Sequence, residues 1–321
     1  MSTYKQIAGT DIEVLSSDPA NPVDGQVWYN STSNTVKANF INPGSWSTGG
    51  DLNTARRALG GAGTQTSALA FGGTLPPLST ATESYDGTSW TEVNDLNTAR
   101  EGLTGVGTNT AALAVGGEDP LGIVAQNESW NGTSWTEVND LNTARYTLAG
   151  AGTQTAGLVF GGNPGSSPFT TGATESWDGT NWTEVNDLNT GRRDIAGAGT
   201  NTSALAFGGE APPTTGATES WNGTSWTELN DLNTARVQLA GAGSDNTSAL
   251  AFGGLSGPFG FTESWNGTSW TEVNDLNSGR YQLAGAGTDN TSALAFGGAS
   301  PSFAATEEWN VGPQTITFSD S

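Results

Sequence analysis

The sequence predicts an all-β fold of repeated four-stranded antiparallel units, on three observations. Composition is the first. The 321 residues include 46 Gly and 12 Trp, with only 13% charged, which disfavours a helical bundle. The second is internal repetition. A motif Asp-Leu-Asn-(Thr/Ser)-(Ala/Gly)-Arg starts at Asp51, Asp95, Asp140, Asp187, Asp231 and Asp275, at spacings of 44, 45, 47, 44 and 44 residues. A Trp precedes each Asp by five residues: Trp46, Trp90, Trp135, Trp182, Trp226 and Trp270. The third is turn chemistry. Asn-Gly pairs such as Asn222-Gly223 separate strand-like runs, and both turn residues accept positive φ.

Each unit parses into four short strands. The first follows the motif Arg and ends in Gly-x-Gly, as in Leu239-Ala240-Gly241-Ala242-Gly243. The second is apolar and closes on a double Gly, as in Ala204 to Gly209. The third reads Ala217-Thr218-Glu219-Ser220-Trp221 and the fourth Trp226-Thr227-Glu228-Leu229. Six such units over about residues 45–310 predict a six-bladed β-propeller, with the glycines letting the crowded inner strands approach a central channel. A solenoid of stacked hairpins is the alternative, but the termini carry a closure signature. The last unit lacks a fourth strand with Trp in register and has Val311-Gly312-Pro313-Gln314-Thr315 instead. Gly44-Ser45-Trp46-Ser47 is the missing piece, so residues 45–48 are expected to close the last blade. Residues 1–42 then form an N-terminal arm and 43–321 the propeller. The tail Thr315-Ile316-Thr317-Phe318 alternates like a strand and is expected to join an edge or contact a partner.

The order Asp-Leu-x-x-x-Arg, apolar strand, Gly-Gly, strand ending in Trp/Tyr-Asn/Asp, then Trp, resembles the kelch repeat. This implies a six-bladed propeller and, by itself, no activity. Within the arm, Asp24 to Thr32 followed by Asn34-Thr35-Val36-Lys37 resembles a hairpin near the N-termini of bacteriophage tail-fibre and appendage proteins, marine phages in particular. An ordinary two-stranded extension is the plainer reading. The arm is too short to bury a core of its own, so Trp28, Tyr29 and Phe40 are candidate attachment residues.

Charge and residue usage exclude several chemistries. A formal charge of −22 repels phosphate, so nucleic acid is not an expected partner. Without Cys or His there is no usual zinc site, disulfide frame, Ser–His pair or imidazole base. Resemblance to galactose oxidase stops at the fold for the same reason. Glu83, Glu128, Glu175, Glu219, Glu263 and Glu307 recur once per unit, and a symmetric set is a poor candidate for a unique acid/base pair. No cofactor or metal site is expected, and no enzyme. The N-terminus lacks an apolar signal-peptide core and no run is long enough to span a membrane, so neither secretion by that route nor membrane insertion is expected.

Strand alternation places the two-to-three loops and the links between blades on one face. The uniform Asn-Gly and Thr-rich turns take the other. The loops differ in every unit, as does the residue after each motif Arg: Arg57, Glu101, Tyr146, Arg193, Val237 and Tyr281. Divergence confined to one face of near-copied blades reads as a recognition surface, or else as unconstrained connectors. Nine prolines stiffen these loops, and Phe169, Phe259, Phe261 and Phe303 are costly to expose without a purpose. Candidate ligand residues are those four with Tyr146 and Tyr281. The motif arginines, Arg56, Arg100, Arg145, Arg192, Arg236 and Arg280, enter the innermost strands. They read either as a cationic ring at the channel mouth for an anionic ligand, or as local partners of glutamates such as Glu83 and Glu128. The expected role is a non-enzymatic virion structural and recognition protein, a phage tail-fibre or appendage propeller that binds a host-surface glycan or protein. Its arm would contact other virion proteins or a second copy, giving a homo-oligomer. A self-assembling filament subunit is the alternative.

Overall fold

The computed structural model describes residues 12–20, 23, 25–41, 43–255, 259–300 and 303–318, and every regular element in them is a strand. Two compact units form: Met1–Ser45 with Val311–Ser321, and Trp46–Asn310.

Among its described residues, the larger unit holds six four-stranded antiparallel sheets, here sheets one to six in chain order. Sheet one pairs Gly60–Thr64, Ser67–Phe71, Thr82–Tyr85 and Trp90–Val93 in sequence order. Sheets two to five repeat that order. Sheet six takes Ala284–Asp289, Ser292–Phe296 and Thr306–Asn310 from its own repeat and Ser45–Thr48 as its fourth strand. The loop of the second repeat adds a small hairpin, Glu118–Asp119 with Gly122–Ile123, which the four-strand parse did not include.

Neighbouring sheets interlock through one recurring set of side chains. The Phe ending a second strand packs on the Trp opening the next sheet's fourth strand. Phe71–Trp135, Phe160–Trp226, Phe207–Trp270, Phe252–Trp46 and Phe296–Trp90 have ring centroids 4.8–5.0 Å apart. Each of these indoles donates Nε1–H back to a third-strand Thr of the preceding sheet: Trp135 to Thr82, Trp226 to Thr174, Trp270 to Thr218, Trp46 to Thr262 and Trp90 to Thr306, all at 3.0–3.1 Å. Trp90 of sheet one thus reaches sheet six. The inner strands approach as closely as glycine allows, since a Cβ on Gly105 would lie 2.3 Å from the Gly61 carbonyl oxygen.

The junction of sheets two and three departs from this set. Val115 stands where the other sheets carry Phe, and Asn127 where they carry Thr. Val106 replaces the usual Ala and fills the gap, lying against Gly150 where a Phe ring lies elsewhere. The Asn is not compensated, and both Trp182 Nε1 and Asn127 Oδ1 are buried without partners.

One further feature joins all six sheets. The second residue after each motif Arg enters a cycle of main-chain bonds: Ala58 N–H to Gln282 O, Gln282 to Gln238, Gln238 to Asp194, Asp194 to Thr147, Thr147 to Gly102 and Gly102 to Ala58, at 2.7–3.0 Å. These residues, with the first strands, line a cavity of about 230 Å³.

The smaller unit is a four-stranded sheet in the order Glu13–Leu15, Val27–Asn30, Thr35–Ile41, Pro313–Phe318. The first pair is parallel, and the others antiparallel. This corrects the sequence-based boundary. The C-terminal tail belongs with the arm, pairing from Val36↔Phe318 to Ile41↔Pro313. It also corrects Trp28 as an attachment residue. Trp28 is fully buried and its indole donates to Asp18 Oδ1 at 3.0 Å. The added tail strand is how so short an arm builds a sheet of this size. Tyr29 is half-buried and donates to Asn34 Oδ1, while Phe40 sits on the third strand with its side chain outside the described residues.

Asp18 also accepts from Asn30 Nδ2 at 2.7 Å and Lys37 Nζ at 2.6 Å. Hydrogen bonds from Lys37, Asn30 and Trp28 lower its pKa from 3.8 to about 2. A depressed carboxyl pKa stabilises the fold above the unfolded value, and that contribution is lost as pH falls through the folded one. Acid titration from about pH 4 to about pH 2 is therefore expected to loosen this sheet, read from the Trp28 indole resonance. Asp18→Asn should abolish the step, and an indole that titrates alike in both proteins counts against it. In the larger unit, Asn127→Thr should supply the missing acceptor to Trp182. Denaturant unfolding should show a gain of about 1 kcal/mol, and a loss would contradict the interlock.

Candidate recognition face and the buried arginines

Each motif Arg lies at the link between two sheets, where its main chain and side chain face different neighbours. Its carbonyl accepts from the second Gly of the preceding sheet's double Gly, as Gly73 N–H to Arg100 O at 2.8 Å. Only glycine suits that place, since Gly73 has φ +92° and a Cβ there would sit 2.6 Å from Arg57 O. The guanidinium turns inward and pairs with the third-strand Glu of its own sheet. The pairs are Arg56–Glu83, Arg100–Glu128, Arg145–Glu175, Arg192–Glu219, Arg236–Glu263 and Arg280–Glu307, at 2.7–3.3 Å. The same carboxylates accept from the motif Asn, as Glu83 Oε2 does from Asn53 N–H and Nδ2 at 2.7 and 2.9 Å.

The six side chains are 0–1% exposed, which removes the cationic ring from the candidate ligand residues. A guanidinium without solvent access and with a carboxylate at hydrogen-bond distance offers no charge to a ligand. Burial pulls each guanidinium pKa down and the partner glutamate pulls it back up.

The residue after each Arg pairs with the first residue of the adjacent variable loop. The bridges are Arg57↔Thr74, Glu101↔Glu118, Tyr146↔Asn163, Arg193↔Glu210, Val237↔Leu255 and Tyr281↔Ala299. Link and loop therefore share a face. Phe259 and Tyr281 come together with centroids 5.6 Å apart in an edge contact. Tyr146 Oη accepts from Asn163 Nδ2 at 3.2 Å, and burial followed by the nearby Glu118 raises its pKa. Phe169 is half-exposed. Phe261 and Phe303 are half-buried and contribute carbonyls, Phe261 O to Arg236 Nη1 and Phe303 O to Arg56 N–H. Among the described residues no ring contact joins Phe169, Phe261 or Phe303 to the Phe259–Tyr281 pair. Loop residues 256–258 and 301–302 lie outside the described residues.

No family model matches the chain, and no curated protein is similar to it.

Sequence reasoning stopped one residue short of the mouth. Ala58, Gly102, Thr147, Asp194, Gln238 and Gln282 line the cavity and vary as much between repeats as the positions before them. That variation was the available signal. Asp194 is the one acid among them. Burial raises its pKa, while the Gln238 side chain and Arg193 hold it down.

Removing one member of a buried ion pair strands the other charge, at a cost of about 3–5 kcal/mol. Arg145→Ala is expected to destabilise by that order in urea, with little dependence on salt because the pair is shielded from solvent. A change within about ±0.5 kcal/mol, as at ordinary surface sites, would contradict a structural role for the motif arginines.

Proposed function

We propose that the chain is a six-bladed kelch-like β-propeller with a separate small four-stranded unit, and that it works as a non-enzymatic recognition protein of a phage particle. One observation carries the reading. Six sheets share their interlocking Phe, Trp, Thr, Arg and Glu almost without change, while variation concentrates on the loops and link residues of one face. A scaffold held constant under a variable face is what diversified binding calls for. The buried arginines remove the argument for an anionic ligand. The face keeps Arg57 and Arg193 against Glu101, Glu118, Asp194 and Glu210, and Arg193 is committed to Glu210 at 2.8 Å. The ligand is a host-surface glycan or protein of neutral or cationic character, and the smaller unit attaches to other virion proteins or to a second copy. The filament reading keeps one supporting observation, the tail strand Pro313–Phe318 at the edge of its sheet.

Phe169→Ala, Phe259→Ala and Tyr281→Ala should each weaken binding to host cells. An aromatic anchor in an interface is worth about 2 kcal/mol or more. Stability should fall little at half-exposed Phe169 and more at the paired Phe259 and Tyr281. Thr133→Ala and Thr268→Ala, in the uniform turns, should leave binding intact. Binding lost from the uniform turns alone would place recognition on the other face. Regular fibres in electron micrographs of the purified chain, with no cell binding, would favour the filament.

A further inference from the structure

The turn between the third and fourth strands takes one geometry in sheets one to five. It opens with Asp86, Asn131, Asp178, Asn222 and Asn266, each followed by Gly. The Oδ1 of that first residue accepts from the N–H groups two and three residues on, at 2.8–2.9 Å in all five. The five glycines have φ of 88–93°. The turn therefore asks the first residue only for an acceptor. The Asn131 and Asn222 amide nitrogens add one long contact each, 3.4 Å to Ser134 Oγ and to Ser225 Oγ. Amide and carboxylate are interchangeable here, and sheets one and three already hold the carboxylate.

Asn-Gly is also the pair in which an amide converts to a carboxylate most readily. The glycine nitrogen bonds to Asn Cγ, the Cγ–Nδ2 bond breaks, and Nδ2 leaves as ammonia with the glycine's proton. Water then opens the five-membered imide. Addition at Cγ restores the main chain as aspartate. Addition at the main-chain carbonyl carbon routes the chain through Cγ, as isoaspartate, one carbon longer. Asn131, Asn222 and Asn266 are exposed to the water this needs. Glycine offers no Cβ to hinder closure. Among the described residues, the N–H groups of Gly132, Gly223 and Gly267 have no hydrogen bond to give up.

The fold distinguishes the two products. Aspartate keeps both bonds to Oδ1, and its charge strengthens them. The N–H groups of Ser89 and Thr88 lower the pKa of Asp86, and those of Asn181 and Thr180 lower that of Asp178. Isoaspartate instead adds an atom to a turn that main-chain bonds close, Asn131 N–H to Ser134 O at 3.3 Å, Asn222 to Ser225 at 3.3 Å and Asn266 to Ser269 at 3.4 Å. It also displaces a carbonyl that the preceding sheet holds. Asn94, Asn186 and Asn230 Nδ2 donate to Thr133, Thr224 and Thr268 O at 2.7–2.8 Å. Because the imide re-forms from either product, the one the fold holds better accumulates. We propose that Asn131, Asn222 and Asn266 are modification sites, at which the folded protein converts asparagine to aspartate through the imide and so matches Asp86 and Asp178. Each conversion adds one negative charge to the −22, at the strand ends opposite the variable loops.

The full-length protein is aged in mildly alkaline buffer, folded and in urea. Its peptides are then mapped by mass spectrometry with electron-transfer fragmentation, which separates aspartate from isoaspartate. Positions 131, 222 and 266 should convert in both samples, with Asn94, exposed but followed by Asp95, as the slow reference. The ratio of aspartate to isoaspartate should be about tenfold higher in the folded sample, the effect of one charge-assisted hydrogen bond kept by one product and lost by the other. Asp86 and Asp178 should stay aspartate in the folded sample. The combined variant Asn131→Asp, Asn222→Asp and Asn266→Asp should melt no lower than the original protein. The proposal is overturned if the three asparagines stay amides in the folded protein while the urea sample converts, if the product ratio is no higher folded than in urea, or if the combined variant melts lower.

Discussion

Each sheet of the larger unit depends on its neighbour for the burial of its largest side chain. A four-stranded sheet of about 20 residues has too little apolar surface to be stable alone. Here the fourth-strand indole is buried between two sheets and, at five of the six junctions, meets the preceding Phe at a steep angle and is hydrogen-bonded to the preceding Thr. Aromatic pairs at this spacing add about 0.5–1.5 kcal/mol beyond their burial, and the N–H bond makes the geometry specific. The consequence is a strict order of dependence. A change in one sheet is felt at the next junction, as Val115, Asn127 and Val106 illustrate together at the face of sheet three.

The ion pairs add specificity where burial alone would not. Apolar residues of similar volume often serve stability as well as a buried Arg–Glu pair does. What they cannot do is tie the Asp-Leu-Asn link, the preceding double Gly and the third strand to one register. Each pair does this through directional bonds, and it also removes its charges from the surface. Residues 46–310 contain 27 acidic side chains and eight arginines; with six of each locked together, 21 acids face only Arg57 and Arg193. Glutamates in the exposed fourth strands, such as Glu92 and Glu137, lie on outermost edges, where charge discourages strand pairing between copies.

Periodicity made the strands, the turns and the source of sheet six's last strand legible, because each rests on local patterning repeated six times. The fate of the arginines was not legible from their position alone. The signal lay in their partners: Arg56 to Glu83 spans 27 residues and Arg145 to Glu175 spans 30, the offset growing with the loop between them. An offset that follows loop length belongs to a fixed contact in space. The make-up of the smaller sheet was hidden for another reason. Its last strand arrives from the far end of the chain, and no local pattern in residues 1–40 announces a partner at 313–318. The mouth residues were not legible because their shared left-handed backbone and mutual main-chain bonds leave no residue-type signature, Ala58, Gly102, Thr147, Asp194 and Gln238 having no side-chain chemistry in common.

Near-identical sheets carry a risk of their own, since a first sheet that fits any other sheet can also fit another molecule. The meeting of sheets six and one differs chemically from the other five junctions. Third strands carry Trp130, Trp177, Trp221, Trp265 and Trp309 at matching positions, but sheet one has Tyr85. The residue before that aromatic is Ser in sheets one to five and Glu308 in sheet six. These two exceptions meet. Tyr85 Oη donates to Glu308 Oε1 at 2.6 Å, and burial, reinforced by Glu308, raises the phenol pKa and keeps its proton in place. A Cβ at Gly49 would come within 3.0 Å of that hydroxyl, so the approach of the fourth strand of sheet six depends on glycine there as well. Trp in place of Tyr85 would leave Glu308 without this donor, and Ser in place of Glu308 would leave the phenol without this acceptor. The pair is thus a matched departure from the repeat that favours sheet six as the partner of sheet one over any of the four sheets between them.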